Sequence, residues 1–300
     1  MQRFTIRDVE NLCHIKAHTL RIWEQRFTFF QSKRKESLHR YYDNDDLQVL
    51  LQVAYLYHGG MKISHIATLD ATGRLDAIEA QRSHQEPTSE QEVLSMLEAA
   101  VTFDEGRFRE RLDSVIRRLG LEEAVLKVVF PYLQRVGLLW MTNRIIPAQE
   151  HFSSYLLQHR IIAETETLPS PPSSTGEAVL LFTPRDEHHE LPLLYLNYLL
   201  RKYGWNVIYL GPNVDVRELP EAIVERTSTF YMHLITNLTG FLVDDLLESL
   251  CTRYPGKRII ASGSAVLAAQ RSFLNVHLLR TDNEILRFVH AGPGSVHRQS

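Results

Sequence analysis

The sequence lacks the features that mark several classes of protein. Its 300 residues include only two cysteines, Cys13 and Cys251, and these lie far apart, so we expect neither a disulfide framework nor a paired-cysteine metal site. It has no apolar run of about 18 residues, which predicts no transmembrane helix. The first residues, MQRFTIRDVE, contain no apolar segment of the kind found in secretory signals. We therefore expect a protein of the reducing cytoplasm that does not bind a membrane.

A large excess of charge of one sign is also absent. The 33 Lys and Arg residues nearly balance 36 Asp and Glu residues, giving a formal net charge of -3. This value argues against a protein that coats nucleic acid along its whole surface, but it allows a local basic patch. Lys33, Arg34 and Lys35 are consecutive, and Arg40 follows them closely. The hydrophobic content of 44% and charged content of 23% are typical of globular proteins.

Two polar stretches divide the chain into three parts. Residues 83–90 read SHQEPTSE, and residues 168–176 read LPSPPSSTG. Stretches rich in Pro, Ser and polar residues without a hydrophobic period are typical of linkers. We therefore predict three domains, at residues 1–82, 91–167 and 177–300.

The first part has the pattern of a small helical domain that reads DNA. Thr5 is suited to cap a helix over about 6–13, a second helix follows at about 17–27, and Asn44 or Asp45 can cap a third. Two short helices joined by a tight turn allow the second helix to enter the major groove. From spacing alone, a small helical domain with a solvated basic loop stays open as the alternative.

The other two parts predict an all-helical bundle and an α/β domain. The middle part has four amphipathic helical patterns joined by short connections, which favours an antiparallel bundle. In the last part, apolar strands alternate with helical patterns, which indicates a parallel sheet covered on both faces, of the flavodoxin-like or Rossmann-like kind. The predicted strands are 178–183, 206–210, 229–235, 258–263 and 276–280, and the predicted helices are 190–203, 215–226, 240–252, 265–271 and 283–290.

Polar side chains follow the ends of three of these strands. Glu187 and His189 come after the first strand, where a carboxylate two residues before an imidazole can fix its tautomer and raise its basicity. An imidazole in that setting is a good ligand for cobalt or a similar ion. Ligands of doubly wound sheets bind at the carboxyl ends of strands, where Thr236, Leu238, Gly263 and Ser264 are also expected. The plain alternative is a pair of solvated histidines at the start of a helix.

The first part resembles the MerR family of transcriptional regulators over about residues 3–72. The similarity lies in Phe4-Thr5-Ile6, in the segment from His18 to Glu24, and in Arg40-Tyr41-Tyr42 followed by acidic residues and Leu47. It implies a winged helix-turn-helix that acts as a dimer on near-palindromic operator DNA. The implied DNA-binding residues are Thr5, Lys16, His18, Thr19, Arg21, Arg26, Lys33, Arg34, Lys35, Arg40 and Tyr42.

The rest of the chain resembles cobalamin-binding domains. Glu187-x-His189, Thr236-x-Leu238 and Gly263 are similar to the signature DxHxxG…SxL…GG, which implies that His189 is the lower axial ligand of cobalt. Trp140, followed after nine residues by Glu150-His151, is similar to the Wx9EH motif of light-sensing, cobalamin-dependent MerR-type repressors, where it covers the 5′-deoxyadenosyl group. The implied cofactor-binding residues are Val136, Trp140, Met141, Glu150, His151, Glu187, His189, Thr236, Leu238, Gly263 and Ser264.

The chain departs from these motifs at several positions. Pro192 stands where the signature has its last Gly, and Gly263-Ser264 stands where it has Gly-Gly. Thr236 replaces the Ser of Ser-x-Leu. Met141 stands where the photoreceptors have a His that captures cobalt after light cleaves the adenosyl group, so the same bis-His adduct is not available here.

Three functions are compared. The first is a repressor whose operator binding and assembly, as a dimer or tetramer, depend on adenosylcobalamin, with or without light sensitivity. The second is a regulator of the same architecture that has lost cobalamin and senses another tetrapyrrole, a small ligand or a protein partner. The third is a corrinoid enzyme or methyl carrier, against which the DNA-reading part argues. We therefore predict a regulator that is not an enzyme.

Overall fold

A computed structural model gives the structure of most of the chain. It describes residues 3–27, 31–34, 40–141, 147–169, 178–235 and 242–293. The chain separates into two compact units, residues 1–157 and 158–300. Where a linker was predicted at 83–90, only residues 85–88 separate two helices, and most of the linker predicted at 168–176 lies outside the described residues. The division into three domains stays a prediction.

The first unit begins with two short helices, a small hairpin and two further helices. The predicted cap of the first helix is confirmed, because the Thr5 hydroxyl accepts a hydrogen bond from the backbone N–H of Asp8. Phe4 and Tyr42 pair through N–O distances of 2.7 and 2.8 Å, which joins the N-terminus to the end of the hairpin. The elements are α1 (Ile6–Cys13), α2 (Ala17–Arg26), β1 (Lys33–Arg34), β2 (Arg40–Tyr41), α3 (Asn44–His58) and α4 (Ile63–Ile66).

The cap of α3 corrects the sequence analysis. Asp43, rather than Asn44 or Asp45, has extended backbone and precedes the first helical residue. Its Oδ1 accepts from the backbone N–H of Asp46 at 3.1 Å, and the Asp46 carboxylate accepts from the N–H of Asp43 at 3.0 Å. This reciprocal pair satisfies two N–H groups at the helix start.

The first unit continues as a bundle of long helices. Helix α5 was not predicted, because only Arg74 and Ile78 of it are buried and its apolar period is therefore weak. The predicted bundle helices are present, and Pro147 is the first residue of the last one, a position that suits proline. The helices are α5 (Ala71–His84), α6 (Ser89–Val101), α7 (Glu105–Ala124), α8 (Phe130–Met141, preceded by a π-helical turn at Val125–Val129) and α9 (Pro147–Glu166).

A buried polar cluster joins the DNA-reading helices to the bundle. The Gln52 amide of α3 donates to Glu98 of α6 at 2.8 Å and accepts from the Arg74 guanidinium of α5 at 3.1 Å. The second carboxylate oxygen of Glu98 pairs with Arg107 of α7 at 2.9 Å. Because hydrogen bonds are directional, this cluster fixes how α3 and α6 face each other within their apolar contact.

The second unit has a five-stranded parallel sheet in the order β4-β3-β5-β6-β7. This is the flavodoxin-like order 2-1-3-4-5, so the predicted fold class is confirmed. Strand β3 is buried along its whole length, as expected for a central strand with helices on both faces. The strands are β3 (Ala178–Pro184), β4 (Val207–Val214), β5 (Thr227–His233), β6 (Arg258–Ser262) and β7 (Val276–Leu279).

Two predicted helices of this unit are much shorter than expected. The helix predicted at 215–226 is a 3-10 turn, Val216–Glu218, followed by the short helix α11, because Pro220 interrupts the run. The helix predicted at 265–271 is a single 3-10 segment at Ser264–Ala268. The α-helices of the unit are α10 (Glu190–Lys202), α11 (Glu221–Glu225), α12 (Val243–Arg253) and α13 (Asp282–Ala291). In the described part of the chain, no helix is long and apolar enough to cross a membrane.

The cap of α3 gives a direct test of the fold. Asp43→Ala removes both the acceptor for Asp46 N–H and the partner of Lys33, and we expect it to lower the free energy of unfolding by about 1 to 2 kcal/mol. Asn44→Ala is the matched control and should cost less than about 0.5 kcal/mol. Urea denaturation measures both variants. An equal loss in the two would contradict the assignment of Asp43 as the cap.

Candidate DNA interface and cofactor site

Helix α2 presents one polar face and one buried face. Leu20 and Trp23 are buried in the domain core, whereas His18, Arg21 and Arg26 are exposed. Thr19 is half-buried, and Lys16 at the start of the helix is exposed and lies 3.5 Å from Glu10. The residues predicted to read DNA from α2 are therefore placed where a duplex can reach them.

Two further residues of α2 belong to this exposed face. Ile22 is 47% exposed, and Gln25 is exposed one turn further along. An exposed β-branched side chain beside base-reading residues is suited to contact a thymine methyl group, and a glutamine can pair with adenine. The sequence analysis missed both because it considered only the charged and small polar residues. The spacing from His18 through Arg21 to Gln25 was the available signal.

The hairpin contains the residues predicted to form the wing. Lys33 Nζ pairs with Asp43 and lies 3.2 Å from Asp46, so it anchors the hairpin to the start of α3. The hydrogen bond with Asp43 raises the pKa of Lys33. Strand pairing places Arg34 opposite Arg40, whose side chains, like the whole of Lys35, lie outside the described residues.

Two residues of the predicted DNA-binding set have structural roles. Tyr42 is only 1% exposed and packs in the domain core, so its side chain is not on the surface that faces DNA. Thr5 uses its hydroxyl in the cap of α1, donating to the Asp8 carboxylate at 2.7 Å. The prediction that the Tyr42 side chain contacts DNA is therefore wrong. Thr5 caps α1 but is only half-buried, so its contact with DNA stays a prediction.

In the second unit, Glu187 and His189 form a tight pair at the carboxyl end of β3. Glu187 is 0% exposed, and its Oε1 accepts from the His189 backbone N–H at 3.0 Å and from the ring Nδ1 at 2.6 Å. Its Oε2 accepts from the backbone N–H of Ile235, beyond the end of β5, at 2.9 Å. The His189 side chain is half-exposed. The predicted carboxylate–imidazole pair is thus in place, with the carboxylate buried and the ring at the surface.

The loop that carries this pair is held in a fixed shape. The Thr183 hydroxyl donates to the carbonyl of Glu187 at 2.6 Å and accepts from the N–H of Asn213 at 3.0 Å. Asp186 and Asn213 both have left-handed backbone, which Asp and Asn tolerate better than most residues, and Asn213 Oδ1 accepts from the N–H of Asp186 at 2.9 Å. The loop after β3 is therefore tied to the end of β4.

Gly263 lies where the ends of β5 and β6 come together. Its φ is +100°, and a Cβ at this position would lie 2.2 Å from the carbonyl oxygen of Leu234. Ala265 N–H donates to that oxygen at 3.0 Å, and the Ser264 hydroxyl donates to the Ile235 carbonyl at 2.9 Å. Gly263 is therefore required by backbone crowding. The predicted Thr236 and Leu238 lie outside the described residues.

His233 is a third imidazole near this edge that the sequence analysis missed. It is the last residue of β5, and its Nδ1 lies 2.8 Å from the Ser262 hydroxyl of β6. Burial lowers the pKa of His233 to about 4, against a smaller opposing effect of Glu187, so the ring is neutral at neutral pH. The signal in the sequence was only its position at a strand end.

The predicted cofactor residues of the bundle differ from one another in their exposure. Val136 is 3% exposed and lines an apolar cavity of about 10 Å³ together with Leu12 and Tyr132, so it is a core residue and leaves the predicted set. Glu150 lies 3.1 Å from the His151 Nδ1, and the His151 side chain is exposed. Trp140 and Met141 end α8, but their side chains lie outside the described residues.

The nitrogen and oxygen atoms at this edge suit a metal that is already bound in a macrocycle. They suit a bare metal ion less well. Among the described residues, no group of three or more His, Cys, Asp and Glu side chains is arranged to hold a metal. A metal bound in a corrin ring needs only one axial donor from the protein. With Nδ1–H donating to Glu187, the neutral His189 ring has its lone pair on Nε2, the atom that such a metal would require. The residues present therefore fit cobalamin.

These features define a helix-turn-helix regulator joined to a helical bundle and a flavodoxin-like unit. Residues 4–72 match the family described as MerR HTH family regulatory protein, and residues 95–163 match the B12 binding domain family. The chain therefore contains a MerR-type helix-turn-helix and a B12-binding domain.

Similar proteins agree with this assignment. The HTH-type transcriptional repressor CarH of Myxococcus xanthus is 29% identical over 94% of this chain and 96% of its own length. The repressor CarA of the same organism is 25% identical over 73% of this chain and 72% of its own. A monomethylamine corrinoid protein of Methanosarcina barkeri shares the fold with a TM-score of 0.50 at 15% identity, covering 67% of this chain and 98% of that chain.

The lowered pKa of His233 predicts acid lability of the second unit. The unfolded ring, with a pKa near 6.5, binds a proton more readily than the folded ring, so stability is fully present above pH 6.5 and decreases as the pH falls toward 4. Between pH 7 and 4.5 we expect His233→Asn, which stays neutral, to lose roughly 2 to 3 kcal/mol less stability than the wild type. Denaturant unfolding at both pH values measures this, with His188→Asn as an exposed control. Equal losses in all three proteins would rule out His233 as the cause.

Proposed function

We propose that this protein is a repressor whose binding to operator DNA and whose assembly are controlled by adenosylcobalamin. The observation that supports it most strongly is the buried Glu187 carboxylate, which orients the half-exposed His189 ring in a chain that also presents a DNA-reading helix. The relatives named as transcriptional repressors support the regulatory role rather than an enzymatic one.

In this proposal His189 Nε2 would be the nitrogen that holds the cobalt of the cofactor. Glu187 holds the proton on Nδ1 and makes Nε2 a stronger donor, because a buried carboxylate stabilises positive charge that develops on the ring. Gly263 keeps the neighbouring edge free of side-chain atoms next to Leu234. When bound, the adenosyl form supplies a cobalt–carbon bond that light can break.

Pro192 does not disturb the helix that follows His189. Helix α10 begins at Glu190, so Pro192 lies in the first turn, where a backbone N–H has no partner within the helix. Glu190 accepts from the Tyr209 hydroxyl at 3.2 Å, which ties the helix start to β4. The departure from the signature at this position is therefore compatible with the observed backbone.

Control of DNA binding follows from linkage. A cofactor can change the affinity for the operator only if it binds one arrangement of the protein more tightly than another. The two arrangements can differ in the assembly of the chains or in the conformation of the DNA-reading domain. We propose that the dimer or tetramer that holds adenosylcobalamin is the form that retains a near-palindromic operator. On illumination, an assembly that no longer holds the adenosyl form would then release the DNA.

The cofactor assignment is tested by the visible spectrum. The protein is incubated with adenosylcobalamin in the dark, desalted and scanned, and we expect a retained corrin spectrum. His189→Ala should lower the retained fraction at least roughly tenfold, and Glu187→Gln should lower affinity by about 10- to 100-fold. His188→Ala, with an exposed neighbouring imidazole, is the control and should match the wild type.

A colourless wild-type protein would overturn the cobalamin assignment and favour a regulator that senses another ligand. Equal colour in the His189 and His188 variants would instead show that His189 is not the ligand. Illumination before gel filtration then tests light sensing through a change in the elution volume.

The DNA interface is tested by fluorescence anisotropy. A duplex selected from a random library by the wild-type protein supplies the operator. Arg21→Ala should weaken binding by about 5- to 150-fold, because an arginine contact to a base is worth about 1 to 3 kcal/mol. Arg117→Ala removes an exposed charge from α7 and should leave the affinity nearly unchanged. Equal affinities of the two variants would remove Arg21 from the interface.

A further inference from the structure

The turn between α1 and the DNA-reading helix α2 is held by side chains from two directions. The last carbonyls of a helix have no partner within the helix and must be satisfied from outside. The carbonyl of Leu12 accepts from Arg135 Nη1 at 3.0 Å, and the carbonyl of Cys13 lies 2.8 Å from His58 Nε2. His58 belongs to α3 of the DNA-reading domain, whereas Arg135 comes from α8 of the bundle.

Arg135 is a buried cation with a defined set of partners. Its side chain is 5% exposed, and its Nη2 lies 2.5 Å from the Glu90 carboxylate in the first turn of α6. The same Nη2 lies 3.0 Å from His14 Nδ1. A guanidinium can only donate, so Nδ1 must accept and the His14 ring is neutral. Burial and the Arg135 charge lower the pKa of His14, in agreement with this arrangement.

The backbone at the centre of this contact is strained. His14 has left-handed backbone, with φ 52° and ψ 32°, although it is not glycine. Such a residue keeps its conformation only when its surroundings hold it there. Arg135 contacts both the His14 ring and the Leu12 carbonyl, so it supports the conformation that sets the angle between α1 and α2.

Helix α8, which carries Arg135, belongs to the part of the chain that is proposed to bind the cofactor. It lies within residues 95–163, which match the B12 binding domain family. Val136, the next residue, packs with Leu12 and Leu47 around the small apolar cavity. A helix is a stiff element, so a shift of α8 on ligand binding would move Arg135 and Val136 together.

We propose that Arg135 is a positioning residue through which the B12-binding bundle sets the geometry of the helix-turn-helix. This inference rests on the proposed function, because it describes how occupation of the cofactor site reaches the DNA. Arg135 need not touch DNA or cofactor. It acts through Leu12, His14 and the direction of α2.

The test compares operator affinity with and without adenosylcobalamin, kept in the dark. Arg135→Lys keeps the positive charge but loses the contacts that the two terminal nitrogens of Arg135 make, because an ammonium group cannot reproduce the geometry of a guanidinium. We expect the ratio of the two affinities, about 5- to 150-fold for typical coupling, to fall to within about twofold of one. The retained corrin spectrum should stay that of the wild type.

Arg118→Met is the matched control. Arg118 also pairs with a carboxylate of α6, Glu92 at 3.2 Å, but it has no described contact with the turn. It should lower the melting temperature and leave the affinity ratio unchanged. If Arg135→Lys does not fold, Glu90→Gln is the second variant, because it removes the negative charge that pairs with Arg135 and keeps the size of the side chain. It should also lower the ratio of the two operator affinities.

A cofactor-free measurement separates this proposal from the proposed function. Hydrogen exchange without cobalamin should show faster exchange of the amides of residues 14–20 in Arg135→Lys, but not in Arg118→Met. A wild-type protein without retained corrin would overturn the proposed function together with its coupling, and the exchange data would still decide whether Arg135 positions the turn. An unchanged affinity ratio, or unchanged exchange, in folded Arg135→Lys would overturn the inference.

Discussion

The buried carboxylate of Glu187 determines the arrangement at the carboxyl edge of the parallel sheet. An ionised carboxylate in a protein interior is tolerated only where N–H groups surround it. Here these groups come from His189 and from the backbone of Ile235, so the loop after β3 and the end of β5 must meet. The tautomer of His189 follows from the same contacts. One desolvated charge therefore fixes both the backbone at this edge and the chemical character of the exposed imidazole.

The same constraint operates in the first unit, with buried charges of both signs. Arg135 is buried against the end of α1, and Glu98 is buried between α3 and α7, each with its partners in place. Apolar contact alone is non-directional and would allow the DNA-reading helices to slide on the bundle. Removing one partner of a buried pair leaves an uncompensated charge, which is costly. These polar contacts therefore specify one arrangement of the domain that reads DNA and the helices of the B12-binding segment.

Strong local patterns in the sequence predicted much of this structure. Contacts between residues far apart in the sequence could not be predicted in this way. The parallel sheet and the Glu187–His189 pair follow from period and short spacing. Helix α5 has too few buried residues to show a period. Tyr42 was predicted to bind DNA and Val136 to bind the cofactor, but both side chains are buried in the core. The local sequence around each residue is the same whether the side chain is buried or meets a ligand. Arg135 contacts Leu12 across more than a hundred residues, which no local pattern reveals.

The energies involved explain why the turn at His14 is a suitable place for control. A left-handed non-glycine residue costs about 1 to 2 kcal/mol, and the coupling between two sites in allosteric proteins is typically about 1 to 3 kcal/mol. The free-energy change from weakening the contacts that hold one such residue is therefore comparable with the whole coupling free energy that a regulatory ligand must produce. His14 ends α1 and lies three residues before the first residue of α2, and its ring contacts Arg135 of the bundle. A ligand that shifts α8 would thus act on a residue with left-handed backbone between α1 and α2, without any change to the DNA-facing side chains.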